Sequence, residues 1–162
     1  MKKNVIEIRN VCRHYGEVLA VDGVTFNIYE GETLGLIGHN GAGKSTLFKM
    51  MLGLTPPTSG EIYINGTAVR GSAFRELRRS IGYLPENVVL YDNLTGLETL
   101  QFFAALKSCD NASCLPLLTK VGLAQAANRR VDGYSKGMRQ RLGFAQALLG
   151  NPRILFLDEP TQ

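Results

Sequence analysis

Nowhere in the 162-residue chain do eighteen apolar residues follow one another, so no segment is long enough to cross a bilayer as a helix. The first residues include two lysines, but Glu7 and Arg9 interrupt the apolar core that a secretion signal needs. Cysteine is scarce. Cys12, Cys109 and Cys114 fit a reducing compartment and exclude a disulfide framework. Cys109 and Cys114 stand close in sequence, yet no histidine or third cysteine lies near enough to complete a tetrahedral metal site. They read as plain thiols. Histidine is scarcer still, with only His14 and His39. Internal repeats and low-complexity segments are absent. These absences together lead us to expect a cytosolic protein.

What is present is ordinary for a globular chain: 44% hydrophobic and 20% charged residues, enough for one well-buried domain with room for a small subdomain. The formal charge of +4 suits an anionic partner without choosing among a nucleotide, a nucleic acid and an anionic membrane surface. Residues 4–37 read as strands. Val5, Ile6 and Ile8 begin one, and Val24, Phe26 and Ile28 alternate with polar residues. Leu34–Ile37 is a short apolar run, the pattern of a strand buried on both faces. A helix follows through Leu47, Phe48, Met50, Met51 and Leu52, closed by Gly53. Glu61–Ile64 predicts a strand entering an Asn65-Gly66 turn. Arg75–Arg79 predicts a short basic helix, and Ile81–Leu84 another strand.

From about residue 87 the pattern turns helical. Thr95 and Glu98 form a capping box for a helix through Leu97, Leu100, Phe103 and Leu106. Leu115, Leu118 and Val121 suggest a second helix ended by Gly122. Ser135 caps a third, stopped by Gly150 and Pro152. Ile154–Leu157 is a second apolar strand. The reading is an α/β chain with a nucleotide-binding core at 1–86 and 151–162, and a helical insert at 87–150.

Gly38, His39, Asn40, Gly41, Ala42, Gly43, Lys44 and Ser45, followed by Thr46, match G-x-x-x-x-G-K-[ST]. Its glycines let successive backbone N–H groups turn inward onto phosphate oxygens, and the next helix adds its positive end. Lys44 would reach the β- and γ-phosphates of a nucleotide, and Ser45 would set its hydroxyl on Mg²⁺. A chance match should occur in roughly one chain in a hundred of this length and composition. The placement after an apolar run and before a helix sharpens it further. Asp158 emerges at the tip of the Ile154–Leu157 strand, where ligands bind in open α/β sheets. It would hold Mg²⁺ through water, and Glu159 could polarise the attacking water as a general base.

Tyr134-Ser135-Lys136-Gly137-Met138-Arg139-Gln140-Arg141 resembles the signature segment of ABC-type ATPases, in a form similar to that of exporters. Its end lies 13 residues before Ile154. With the phosphate loop and acidic strand in the same order, the chain resembles the ATP-binding domain of an ABC transporter over its whole length. The resemblance implies a P-loop NTPase fold, a parallel sheet core with an antiparallel β subdomain and a helical subdomain. It implies ATP and Mg²⁺ as cofactors. It also implies that Ser135 and Gly137 bind the γ-phosphate of an ATP held by the second subunit of a head-to-tail dimer. The usual core is Leu-Ser-Gly-Gly-Gln; Tyr134, Lys136 and Met138 depart from it. Tyr15 falls where the family stacks an aromatic on adenine, although a strand-edge tyrosine would look the same. Glu86 falls where a glutamine usually touches Mg²⁺ and the water, which puts the metal contact in question.

The words Tyr83-Leu-Pro-Glu-Asn-Val88 and Tyr134–Gln140 are similar to one subgroup, the ATPase of the transporter for copper-site maturation of nitrous oxide reductase. Generic multidrug and gliding-motility ATPases share them. Partners implied are a transmembrane subunit on a separate chain and a second ATPase subunit, at the cytoplasmic face of the inner membrane, with no nucleic acid. A soluble ABC ATPase acting on ribosomes or DNA is the rival, and Arg75, Arg78 and Arg79 could serve it. A GTPase would need Asn-Lys-x-Asp, which the chain lacks. Family members continue past Pro160-Thr161-Gln162 with a dimer-contact loop, another strand and a switch histidine. The expectation is therefore a chain truncated at its C-terminus. Such a chain would bind nucleotide weakly, hydrolyse it slowly and tend to aggregate.

Overall fold

The computed structural model describes residues 3–159. The expectations placed on Met1-Lys2 and on Pro160–Gln162 lie outside the described residues. The chain forms two compact units, one up to Arg78 and one from Arg79 onward.

The first unit is built on a four-stranded antiparallel sheet. β1 (Asn4–Tyr15) and β2 (Val18–Tyr29) form a long hairpin, joined by β3 (Ser59–Ile64) and the short β4 (Thr67–Ala68) in the order β2-β1-β3-β4. β1 buries Ile6, Ile8 and Val11, with a register shift between Ile8 and Val11. Asn65 and Gly66 both take positive φ, 48° and 75°, the geometry of the tight β3–β4 turn. Helix α1 (Lys44–Met51) buries Leu47, Met50 and Met51. Helix α2 (Gly71–Arg78) buries Phe74, whose ring lies beside Gly53 just past the end of α1. Each fully buried side chain of this size contributes about 1.5–3 kcal/mol.

One predicted strand is absent. Residues 32–39 have no regular structure, Leu34 is 48% exposed and Ile37 is 99% exposed. An apolar run becomes a buried strand only when a neighbour offers a free ladder edge. Among the described residues Leu34–Ile37 pairs with no strand of either sheet.

The second unit pairs β5 (Ile81–Leu84) with β6 (Ile154–Leu157) in parallel, Ile81 opposite Ile154 and Leu84 opposite Leu157. The residues between them are largely helical, as parallel pairing requires a long crossover. Helix α3 (Gly96–Leu106) starts with the predicted capping box: the Thr95 hydroxyl accepts from Glu98 N at 3.2 Å, and the Glu98 carboxylate accepts from Thr95 N at 2.8 Å. Helix α4 (Cys114–Lys120) ends at Gly122, with φ of 72°. Helix α5 (Lys136–Leu148) is capped by Ser135, whose Oγ accepts from Met138 N. Leu100, Ala104, Leu118, Leu123, Val131 and Leu142 form the centre of the helical core.

Close packing joins α5 to β5. A Cβ on Gly82 would come 2.4 Å from Ala147 O, and one on Gly143 would come 3.2 Å from the Leu84 side chain. β6 is not buried along its whole length, as its four apolar residues suggest. Ile154 and Phe156 are buried but Leu155 is 37% exposed: successive side chains point to opposite faces of the sheet, and the face that carries Leu155 is the less covered one. Cys114 is buried in the helical core, and that burial pushes its thiol upward, with Cys109 and Asp110 adding to the shift.

Candidate nucleotide site

The Gly38–Ser45 loop belongs to the first unit and runs directly into α1. Gly43 is the residue before the helix, at φ 83° and ψ 1°. A Cβ there would lie 2.2 Å from Ala20 O and 3.2 Å from Val21 Cγ2 on β2. The loop is therefore seated against β2 at a distance only glycine allows. Ala42 N donates to His39 O at 3.1 Å, closing the turn, and Leu47 N donates to Gly43 O at 2.9 Å, starting the helix. The Lys44 ammonium curls back over the loop, donating to Gly38 O at 2.6 Å and His39 O at 3.0 Å. Gly38, His39, Asn40, Gly41 and Ala42 are exposed, as is Ser45 at the first turn of α1. The His39 ring reaches only the neighbouring Asn40 O, at 2.8 Å.

Tyr15 stands at the end of β1, 45% exposed. The Arg13 guanidinium sits over one face of its ring, 4.5 Å from the centroid. Arg13 also holds the Tyr15 phenol below its ordinary value, with smaller help from the hydroxyls of Thr55 and Thr46. Thr46 lies in the first turn of α1, so the structure brings Tyr15 to the phosphate-loop helix. Arg13 was not legible as a site residue; period-two alternation, which sets residues 13 and 15 on one face of a strand, was the available signal.

Glu86, Ser135, Gly137, Asp158 and Glu159 belong to the second unit. Asp158 N donates to Leu84 O at 2.9 Å, which extends the parallel ladder one residue. Asp158, Glu159 and Glu86 thus follow the carboxyl ends of adjacent parallel strands, the edge at which open α/β sheets bind ligands. The Tyr83 phenol is raised, first by burial and then by the Asp158 carboxylate. Glu159 has φ of 47° and is exposed. Ser135 and Gly137 sit at the start of α5, and Gly137 has open space around it. With Gly143 beside Leu84, Ser135 lies about 12 Å further along the helix, so it does not join the acidic cluster within this unit. Tyr134 is buried, its hydroxyl donating to Ala126 O at 2.7 Å. A leucine at this position would fill the core without that bond. Arg139 pairs with Asp92 at 2.7 Å, beside the start of α5.

A glycine-bound loop opening a helix, with a lysine folded into it, defines the phosphate-loop class of nucleotide-binding proteins. The family model for ABC transporters matches residues 21–162, and the chain belongs to that family. It is 42% identical over 160 residues to an ABC transporter ATP-binding protein of Bacillus subtilis, YxlF, covering 96% of this chain and 52% of that protein. It is 40% identical over 157 residues to the lantibiotic transport ATP-binding protein SrtF of Streptococcus pyogenes, covering 97% of this chain and 67% of that one. The chain thus spans about half to two thirds of the length of these relatives. Among solved structures it is similar to the dimeric ATP-binding cassette MJ0796 bound to ADP and Pi. That match has a TM-score of 0.86 and 30% identity, over 96% of this chain and 74% of that one. The P-loop NTPase fold expected from the motifs is the fold observed.

Proposed function

We propose that this chain is the ATP-binding and ATP-hydrolysing subunit of an ABC exporter. The observation that carries this is the phosphate loop itself: Gly43 fitted against β2, and Lys44 Nζ held on the carbonyls of Gly38 and His39. In this reading Lys44 exchanges those two carbonyls for the β- and γ-phosphate oxygens of ATP. The N–H groups of residues 41–46 complete the cradle, and the adenine stacks on Tyr15. Ser45 and Asp158, with Glu86 as a further contact, are hard oxygen donors of the class Mg²⁺ takes, so the residues suit that ion. Bound there, the ion would neutralise charge on the phosphates. Glu159 takes the proton of the attacking water, and the γ-phosphoryl leaves ADP as inorganic phosphate. Ser135 and Gly137 serve the ATP of a second subunit in a head-to-tail dimer.

The functional division is a core of residues 1–86 and 151–162 carrying a helical subdomain, 87–150. The working partners are that second ATPase subunit and a transmembrane subunit on a separate chain, at the cytoplasmic face of the membrane. The lantibiotic transporter relative supports the exporter class. The narrower assignment to copper-site maturation rests on the motif words alone and stands behind the general exporter reading.

The test is binding of a fluorescent ATP analogue with Mg²⁺ to this chain and to its Lys44→Ala variant. Saturable binding is expected in the first and a loss of at least about tenfold in the second. Equal binding by both would remove the phosphate loop from the mechanism.

A further inference from the structure

The Tyr15 ring does not stand alone. Its two faces are unequal: Arg13 covers one at 4.5 Å, and the ring remains 45% exposed. Arg13 is itself held. Its Nη1 donates to Pro56 O at 2.9 Å, across to the loop before β3, and its Nε is buried without a hydrogen-bond partner. The guanidinium is thus anchored through Nη1 while its central carbon stands over the ring. The same loop is tied to β1 by Thr58, whose N donates to Cys12 O and whose hydroxyl accepts from His14 N. The anchor under Arg13 is therefore firm, and the ring resting on the guanidinium inherits its orientation. The hydroxyls of Thr55 and Thr46 also act on the phenol, adding slightly to the lowering that Arg13 causes.

We infer that Arg13 is a positioning residue for nucleobase binding, backing the Tyr15 ring so that a single face is presented for stacking beside the phosphate loop. This rests on the reading that Tyr15 stacks the base. Pre-setting an exposed ring removes the loss of side-chain freedom that stacking would otherwise exact. The guanidinium acts on the base only through the ring. Its contribution therefore vanishes when either the ring or the base is missing.

The test uses the full chain and displaces a ribose-labelled fluorescent ATP analogue with ATP or with tripolyphosphate, which lacks a base. Arg13→Met, which keeps the stem length and removes the fork, should weaken ATP binding by roughly two- to fivefold, the range of an exposed cation–π contact. It should leave tripolyphosphate binding unchanged. Arg13→Lys should recover part of the loss. In a Tyr15→Leu background, Arg13→Met should have no further effect. If Tyr15→Leu weakens ATP binding but Arg13→Met does not, stacking stands and the positioning role falls. If Tyr15→Leu changes nothing, both fall together. If Arg13→Met weakens ATP and tripolyphosphate equally, Arg13 holds the unit together and has no role specific to the base.

Discussion

Adding one methyl group at Gly43 should separate steric from conformational effects in the phosphate loop. Two costs add at this position. The backbone sits at φ 83°, where an L-residue costs about 1–2 kcal/mol relative to its normal region. The new Cβ would also lie 2.2 Å from Ala20 O, and that oxygen belongs to the backbone of β2, so no side chain can swing aside. Overpacking of this kind costs about 1–3 kcal/mol. Gly43→Ala should therefore lose about 2–5 kcal/mol in total. Gly41 is the internal control. Its φ is 86°, but a Cβ there meets nothing within 4 Å, so Gly41→Ala should lose only the conformational part, about 1–2 kcal/mol. In urea melts followed by circular dichroism, a slope of about 2 kcal/mol/M converts these losses into midpoint drops. They are about 1–2.5 M for Gly43→Ala and about 0.5–1 M for Gly41→Ala. Equal midpoints for the two variants would refute the reasoning, because the contact with β2 would then carry no energy. So would a Gly43→Ala protein as stable as the parent.

Two further expectations concern the helical unit. Tyr134→Phe removes the bond to Ala126 O and should lower stability by about 1–2 kcal/mol in thermal melts, whereas an unchanged melting temperature would mean that the carbonyl finds another partner. Glu98 accepts from Thr95 N, which holds its carboxyl below the ordinary 4.5. Its contribution is thus complete above about pH 4.5 and is lost as the pH falls through the depressed folded value. The stability gap between the parent and Glu98→Gln should close on acidification through that window, and a gap that stays constant with pH would exclude the capping carboxylate as its source.

The motifs and punctuation residues were the legible part of this chain. Gly53, Gly122 and Asn65-Gly66 stop or turn the chain by their own backbone freedom, and Thr95-Glu98 and Ser135 cap helices with their own side chains. Such signals are local, so they survive any tertiary arrangement. Leu34–Ile37 misled because four apolar residues report burial without reporting a partner, and no described strand pairs with them. β6 was half legible: its apolar run was right, but successive side chains of a strand point to opposite faces, and the face of Ile154 and Phe156 is the better covered. Tyr134 looked like a departure from a motif in one dimension; in the folded unit its ring fills the helical core and its hydroxyl meets a carbonyl. Arg13 was hidden because a strand arginine is unremarkable until the ring beneath it is seen.

The seating of α5 on β5 has a mechanical meaning. Gly82 and Gly143 bring the helix and the strand nearly into backbone contact, and Lys107, at the end of α3, donates to both Ile81 O and Leu149 O at 3.3 Å. The half-buried ammonium rivets three elements at one point. From that rivet α5 runs about 20 Å through the helical core to Ser135, tied on the way by Arg141 to the carbonyls of Val121 and Gly122 and by Arg139 to Asp92. A load on Ser135 is therefore shared by the whole helical core, and the strand pair that ends in Asp158 is packed against the far end of the same helix.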